Sequence, residues 1–404
     1  MSVSTAMKIF TDRINRIELS ATMAVTAEAA RLKAQGIDLV DFGAGEPHFA
    51  TPRHIKDAAI DAIEKNFTRY TAVPGIPDVR KAIVERHSAD FGTDYTPEEA
   101  VFTTGGKLAI FNAVQVLVEH GDEVIVPVPF WVSYKDIVQY AGGVPVFLET
   151  DEAENFRVRP EAIEALITPK TKVILLNSPS NPSGAVIAKE DLFRIVEVAA
   201  RRGVYVLLDE CYVYLQYSGE IVSGASVKSA REHVLVMGSL SKTYAMTGWR
   251  AGFALGPKPI IAAMSKLQSQ STSSTAAFVQ KAAAVALSAS QACVSEMRAD
   301  YIKLRDRILA GLLEIPGITC TKPEGAFYVY PNISHYLGSA GGSKRGAKNT
   351  IELASRLLNE AHVVAVPGEA FGTAEHIRLS YAVSHQAVDQ GIERMKAFFL
   401  TLAG

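Results

Sequence analysis

Between two apolar runs, VLVMG (234–238) and AGFALG (251–256), the chain places Ser239, Ser241, Lys242 and Arg250. Runs rich in β-branched and small residues read as buried strands. A lysine carried to the end of a buried strand has its pKa pushed down from about 10.4, which leaves an amine able to act as a nucleophile. The strand-like run before it, VYVLLDECY, ends on Asp209 and Tyr212. A carboxylate after five largely apolar residues is expensive to bury unless it meets a cation or an N–H donor. Alone, Asp209 reads equally as a helix cap or a strand-end ion pair. Further upstream, TTGGK (103–107) sets Gly105, Gly106 and Lys107 between a strand and a helix. Free backbone N–H groups and the positive end of a helix dipole suit a phosphate there. The segment matches neither GxxxxGK[ST] nor GxGxxG, and a tight strand-to-helix turn explains it as well. GAGEPH (43–48) opens like a dinucleotide fingerprint, but Pro47 and the missing third glycine break it.

These residues need elements to bring them together. From about 100 to 256 short apolar runs alternate with helical stretches: AVFTTGG, EVIVPVP, KVILLN, VYVLLDE, VLVMG and GFALG. Strands apolar on both faces and separated by helices imply an α/β fold with a mostly parallel sheet covered on both sides. In such sheets ligands collect at the carboxyl ends of the strands. Those ends read TTGGK, NSPSNPSG, DECY and GSLSK, small and polar, as the lining of one site would be. The helix after TTGGK carries Leu108, Phe111, Val114 and Leu117 at three-residue steps, which are expected to share one face. After about 300 the texture changes. A long helical stretch precedes EGAFYVYP and HIRLSYAV, which alternate as half-buried strands do. On that alternation Arg378 falls on a solvated face. The expected organisation is a large domain over 46–295 and a smaller α+β domain built from 1–45 together with 296–404. GSAGGSKRGAKN (338–349) is expected to be a mobile surface loop.

Bulk properties narrow the classes. A chain of 404 residues exceeds what one core usually carries, and 48% hydrophobic with 21% charged residues is ordinary for a soluble globular protein. A formal charge of −2 gives no general argument for nucleic acid or acidic membranes. Cys211, Cys293 and Cys320 are widely spaced, with no CxxC pair, so neither a disulfide framework nor a zinc site is expected. The N-terminus lacks the apolar core of a secretory signal, and no 18-residue apolar run follows; a cytoplasmic protein is expected. Lysine, an acidic partner for a ring nitrogen, a phosphate cradle and an arginine together suggest pyridoxal phosphate.

SLSKTYAMTGWRAG resembles the lysine signature of the class I/II aminotransferases, which have the fold type I of pyridoxal-phosphate enzymes. DFGAGEPHFATP, RYTAVPGIPDVRKAI, TTGGKLAIFNAV, NSPSNPSGAV, DECY, PEGAFYV and HIRLSYA resemble the family's other blocks, in the same order. The likeness runs from about residue 13 to the C-terminus and is closest to the bacterial aspartate aminotransferase subgroup Ib. Departures are His48 where the subgroup has Asp, Ser180 for Asn, Ser183 for Thr and Cys211 for Ile. None removes a chemical role.

The resemblance implies a role for each residue. Lys242 is the covalent anchor of the cofactor and carries the proton at the substrate Cα. Asp209 pairs with the pyridine nitrogen, and Asn181 and Tyr212 hold the ring oxygen. Ser239, Arg250 and the backbone at Gly105, Gly106 and Lys107 hold the phosphate, with Tyr70 reaching in from a second subunit of a homodimer. Trp131 stacks on the ring. Arg378, helped by Gly45 and Asn181, takes the substrate α-carboxylate, and the Lys107 side chain takes a distal one. Ser20 and Thr22 belong to the stretch that closes over the substrate. The implied reaction is ping-pong exchange of an amino group between an L-amino acid, aspartate or glutamate, and a 2-oxo acid. Prephenate or another specificity, or a lyase of the same fold, stays open, because fold alone does not choose between them. A nicotinamide dehydrogenase would need the glycine fingerprint that is missing.

Overall fold

The computed structural model describes residues 9–18, 21–338 and 345–403. A short strand β1 (Val40–Asp41) precedes the strands of a large sheet. These are β2 (Ala100–Thr104), β3 (Glu123–Pro127), β4 (Val144–Leu148), β5 (Thr171–Asn177), β6 (Tyr205–Asp209), β7 (Val234–Ser239) and β8 (Ala251–Leu255). Their order is β2-β8-β7-β6-β5-β3-β4, and every pairing is parallel except the two that β8 makes. Successive side chains alternate between faces, and both faces are apolar. Ile174, Leu176, Val206, Leu208, Val234 and Val236 join one core. Val173, Leu175, Leu207, Leu235 and Met237 join the other. This is why the runs show no polar alternation: helices cover both sides of the sheet.

The reversal of β8 matters for the site. All the other strands end at one edge, where Thr104, Asn177, Asp209 and Ser239 stand; because β8 runs the opposite way, it begins there, directly after Arg250. A cation at the start of one strand therefore meets polar residues at the ends of its neighbours. The helix Gly106–Leu117 corrects one expectation. It buries Ala109, Ile110, Ala113 and Val114, whereas Leu108, Phe111 and Leu117 are only half-buried. At 3.6 residues per turn, three-residue steps drift around the helix and cannot mark one face.

A second core gathers Phe42, Tyr301, Leu304, Tyr328, Ile377 and Phe399, among others. Its strands are β9 (Tyr328–Val329), β10 (Val363–Val364), β11 (Val366–Pro367) and β12 (Ile377–Ser380), in a three-stranded antiparallel sheet β11-β12-β9 and a parallel pair of β1 with β10. The helix Ala292–Leu313 runs through both regions: Val294 packs in the large core and Met297 onward in the second. The strands here are not half-buried as their alternation suggested. All four residues of β12 are buried, Arg378 included, because the polar members find partners inside the protein. Of the glycine-rich stretch, residues 339–344 lie outside the described residues. Among the described residues no single helix is long and apolar enough to cross a membrane.

Candidate active site

At the carboxyl edge of the large sheet a cavity of about 410 Å³ opens against the second core. It is lined by Gly45, Gly106, Lys107, Trp131, Asn181, Asp209, Tyr212, Ser239, Lys242, Arg250 and Arg378, so eleven residues singled out in the sequence meet there. Gly105 stands just behind, at the N-cap of Gly106–Leu117, with φ +85°. With ψ 158° this is a backbone region essentially reserved for glycine, and a Cβ there would also push the end of the Arg250 side chain aside.

Lys242 lies in the one-turn helix Leu240–Thr243 directly after β7. Its ammonium donates a hydrogen bond to the Gly45 carbonyl oxygen. Burial pushes its pKa below the usual lysine range, the Cys211 and Glu46 side chains opposing the shift. Asp209 ends β6 and is buried. Its carboxylate accepts from the Tyr134 hydroxyl at 2.6 Å and from the Cys211 backbone N–H at 3.1 Å. Burial nevertheless raises its pKa to about 6, so these two donors leave its charge incompletely compensated. Asn177, at the end of β5, fixes the loop beyond it. Its side chain donates to the Asp209 carbonyl at 2.9 Å and accepts from the Asn181 N–H at 2.8 Å.

Asn181 in turn accepts from Arg378 Nη1 at 3.1 Å, and Arg378 Nη2 donates to the Gly43 carbonyl at 2.8 Å. The guanidinium lies 4.5 Å from the Tyr328 ring centroid and 5.1 Å from that of Phe371, while its buried Nε has no partner. An arginine that is 2% exposed, with no carboxylate in contact among the described residues and a donor unused, is a costly arrangement without an anionic ligand. Tyr212 is buried, its hydroxyl 2.8 Å from that of Tyr328; burial holds its pKa well above the ordinary value.

At the other end of the cavity Ser239 caps the Leu240–Thr243 turn, accepting from the Ser241 N–H at 3.2 Å. Arg250 adopts φ 55°, a left-handed conformation that costs a residue with a Cβ on the order of 1–3 kcal/mol. One arm of its guanidinium donates to the Thr247 carbonyl at 2.9 Å. Lys107 is exposed at the cavity mouth, its ammonium 4.8 Å from the Trp131 ring centroid. Desolvation, then the nearby Arg250, lowers its pKa. No carboxylate pairs with it among the described residues.

Tyr70 is not in the cavity. It is 97% exposed, on a separate surface with Arg69 and Thr275. Ser20 and the Thr22 side chain lie outside the described residues. Tyr134, Asn177 and Tyr328 were missed in the sequence. Tyr134 follows Trp131 by three residues but meets Asp209 across 75 positions, and nothing local signals that contact.

These residues fit pyridoxal phosphate. A buried carboxylate short of a donor suits a ring nitrogen, a depressed lysine suits a carbonyl carbon, and Ser239, Arg250 and the start of Gly106–Leu117 suit a phosphate. The comparisons agree. The model of the family "Aminotransferase class I and II" matches residues 37–395. The aspartate aminotransferase of Geobacillus stearothermophilus is 42% identical over 388 residues, covering 96% of this chain and 98% of that one. The aspartate/prephenate aminotransferase of Cereibacter sphaeroides is 42% identical over 397 residues, covering 97% and 99%. Among solved structures, the aspartate aminotransferase from Thermus thermophilus with maleate superposes with a TM-score of 0.92 at 42% identity, covering 97% of this chain and 100% of that one. With the lysine, the buried carboxylate and the phosphate-sized cradle on one sheet edge, the chain belongs to the class I and II aminotransferases and is a pyridoxal-phosphate-dependent enzyme of fold type I.

Proposed function

We propose that this aminotransferase takes dicarboxylic amino acids, aspartate and glutamate, with oxaloacetate and 2-oxoglutarate as the matching oxo acids. When bound, pyridoxal phosphate supplies an electron sink for the charge left on the substrate Cα. The Lys242 amine, uncharged more readily than an ordinary lysine, anchors the cofactor and then accepts the Cα proton on Nζ. Asp209 would hold the ring nitrogen in its protonated form. Asn181 and Tyr212 would hold the ring oxygen and Trp131 one ring face. Ser239, Arg250 and the backbone N–H groups of Gly106 and Lys107 would hold the phosphate. Arg378, with Asn181 and the Gly45 backbone beside it, would receive the α-carboxylate and so aim the Cα–H bond at Lys242.

One observation carries the dicarboxylate assignment. Two cations without an anionic partner among the described residues, Arg378 and Lys107, line the same cavity as Lys242. A second reading, aspartate with prephenate, is favoured by the Cereibacter sphaeroides relative, since prephenate also presents two carboxylates. A panel of amino donors and oxo acids, prephenate included, tests both. Aspartate and glutamate should exceed alanine and phenylalanine in kcat/KM, and a preference for monocarboxylic donors would overturn the proposal.

The proposal includes a homodimer. Tyr70, a large aromatic left 97% exposed and away from its own cavity, supports that reading, in which it would serve a partner's phosphate site. The proposal also keeps the division into 46–295 and 1–45 with 296–404, supported by a second core drawn mainly from Val40, Phe42 and residues from Met297 onward, which Tyr212 and Leu215 join from the large domain. A cytosolic setting accords with the three free cysteines.

A further inference from the structure

Glu152 stands in the short turn Glu152–Glu154 that follows β4, on the rim of an open groove of about 1070 Å³ outside the active-site cavity. Its carboxylate is the meeting point of three donors from the other core region. Thr319 Oγ1 donates at 3.1 Å and Asn332 Nδ2 at 2.8 Å, and His376 Nε2 lies at 3.2 Å. Thr319, Asn332 and His376 sit opposite one another across three adjacent antiparallel segments, so their side chains share one sheet face. Burial works against the Glu152 charge, but the bonds from His376, Asn332 and Thr319 outweigh it and hold the carboxyl below its usual range.

The same face continues into the active site. His376 and Arg378 are two residues apart on one extended segment, so both point the same way. His376 is buried and stacks on the Tyr330 ring at 4.7 Å and 7°. The large-sheet region therefore grips this strand at two successive inward positions: Asn181 at Arg378, and Glu152 at His376. β11 and β9 hold the strand within its own sheet, and the side-chain contacts set how that sheet face sits against the large-sheet region. Two contacts about 7 Å apart along the strand restrain that seating more than one would, and with it the direction in which the guanidinium faces the cavity.

We infer that Glu152 is a positioning residue for the substrate α-carboxylate, acting through His376 to fix the orientation of Arg378. The inference rests on the reading of Arg378 as the α-carboxylate site. It assigns an effect on substrate affinity to a side chain that touches neither substrate nor cofactor.

The test uses the holoenzyme and four variants: Glu152→Ala, Glu152→Gln, His376→Phe, which keeps an aromatic ring on Tyr330, and Glu152→Ala with His376→Phe. KM for aspartate and the spectroscopic dissociation constant of maleate should rise about threefold to thirtyfold in Glu152→Ala, the range found for residues that act through a contact network. Because Arg378 also aims the Cα–H bond at Lys242, kcat should fall as well, so kcat/KM should lose at least the factor seen in maleate affinity. Glu152→Gln keeps one acceptor oxygen and should show a smaller rise. The double variant should lose little more than the worse single one, because both break one linkage. A lowered melting temperature with unchanged KM and maleate affinity, or fully additive losses, would overturn the inference. Arg378→Lys serves as the reference. If it leaves maleate affinity unchanged, the reading of Arg378 fails and this inference with it; if it weakens binding while Glu152→Ala does not, the linkage alone fails.

Discussion

Replacing Lys107 by serine removes one cation from the cavity mouth while keeping the backbone N–H at the start of Gly106–Leu117. The size of the effect follows from the surroundings of the side chain. The ammonium has no carboxylate partner among the described residues; it has the Trp131 ring at 4.8 Å and Arg250 near enough to depress its pKa. A charge-assisted hydrogen bond from a second substrate carboxylate would contribute roughly 1.5–3 kcal/mol. Because Lys107 is exposed at the mouth, solvent screening favours the lower end of that range. The loss specific to dicarboxylates should thus be about tenfold in kcat/KM, at about 1.4 kcal/mol per decade. The contact with Trp131, about 0.5–1 kcal/mol at an exposed site, is lost for every donor and cancels in the ratio.

The assay is kcat/KM for aspartate and for alanine, measured across pH. Its sign is fixed by the direction of the pKa shift. Lys107 is charged below its lowered pKa, so the preference for aspartate over alanine should be full there. It should decline as pH rises through that value, earlier than an ordinary lysine would allow. In Lys107→Ser the ratio should be small and flat with pH. Equal losses for both donors would assign Lys107 to holding Trp131, and no loss would return it to solvent; either result refutes the reasoning.

Two further outcomes are expected. Borohydride reduction of the yellow holoenzyme should fix the cofactor to Lys242, and Lys242→Ala should abolish both fixation and turnover; peptide mapping that places the label on another lysine contradicts the assignment. Mixing inactive Tyr70→Ala and Lys242→Ala variants should restore part of the activity through hybrid dimers when subunits exchange, whereas a fully active monomer in sedimentation excludes the shared site.

The sheet-edge half of the site was legible because a physical rule places it. Asp209 and Ser239 end apolar runs, Lys242 follows one closely, and the carboxyl ends of parallel strands gather ligands. Arg250 was legible as a residue but not as a position. AGFALG looks the same in either direction, and only the antiparallel pairing of β8 with β7 and β2 brings Arg250 to that edge. For Arg378 the alternation of HIRLSYAV pointed to solvent, and the structure buries it. Its partners Asn181 and Gly43 lie 197 and 335 positions away in sequence, so no local pattern could report that two of its nitrogens find acceptors inside the protein. The face of Gly106–Leu117 failed for a geometric reason, a three-residue step read on a 3.6-residue helix. Tyr134 left no trace, since a tyrosine on a helix is ordinary until Asp209 is placed beside it.

The charges of the cavity share one property: each is poorly matched by the protein alone. Asp209 has a folded pKa of about 6, above the roughly 4 of an unfolded aspartate. The folded chain therefore binds more protons than the unfolded one between those values, and stability falls as pH rises through that window. Lys242 is shifted the other way, below an unfolded lysine. The unfolded chain then binds more protons between the folded and unfolded values, so the deficit is full below the folded pKa and shrinks as pH rises through that window. Both shifts thus oppose folding near pH 7. A ligand that presented an N–H to Asp209 and engaged the Lys242 amine would remove both deficits together. A phosphate on the same ligand would answer Arg250, whose strained backbone is otherwise unexplained by its single bond to Thr247. The mismatches are complementary to one molecule in three places, which a set of independent structural residues would not be, and by linkage the affinity for that molecule includes the stability its absence withholds.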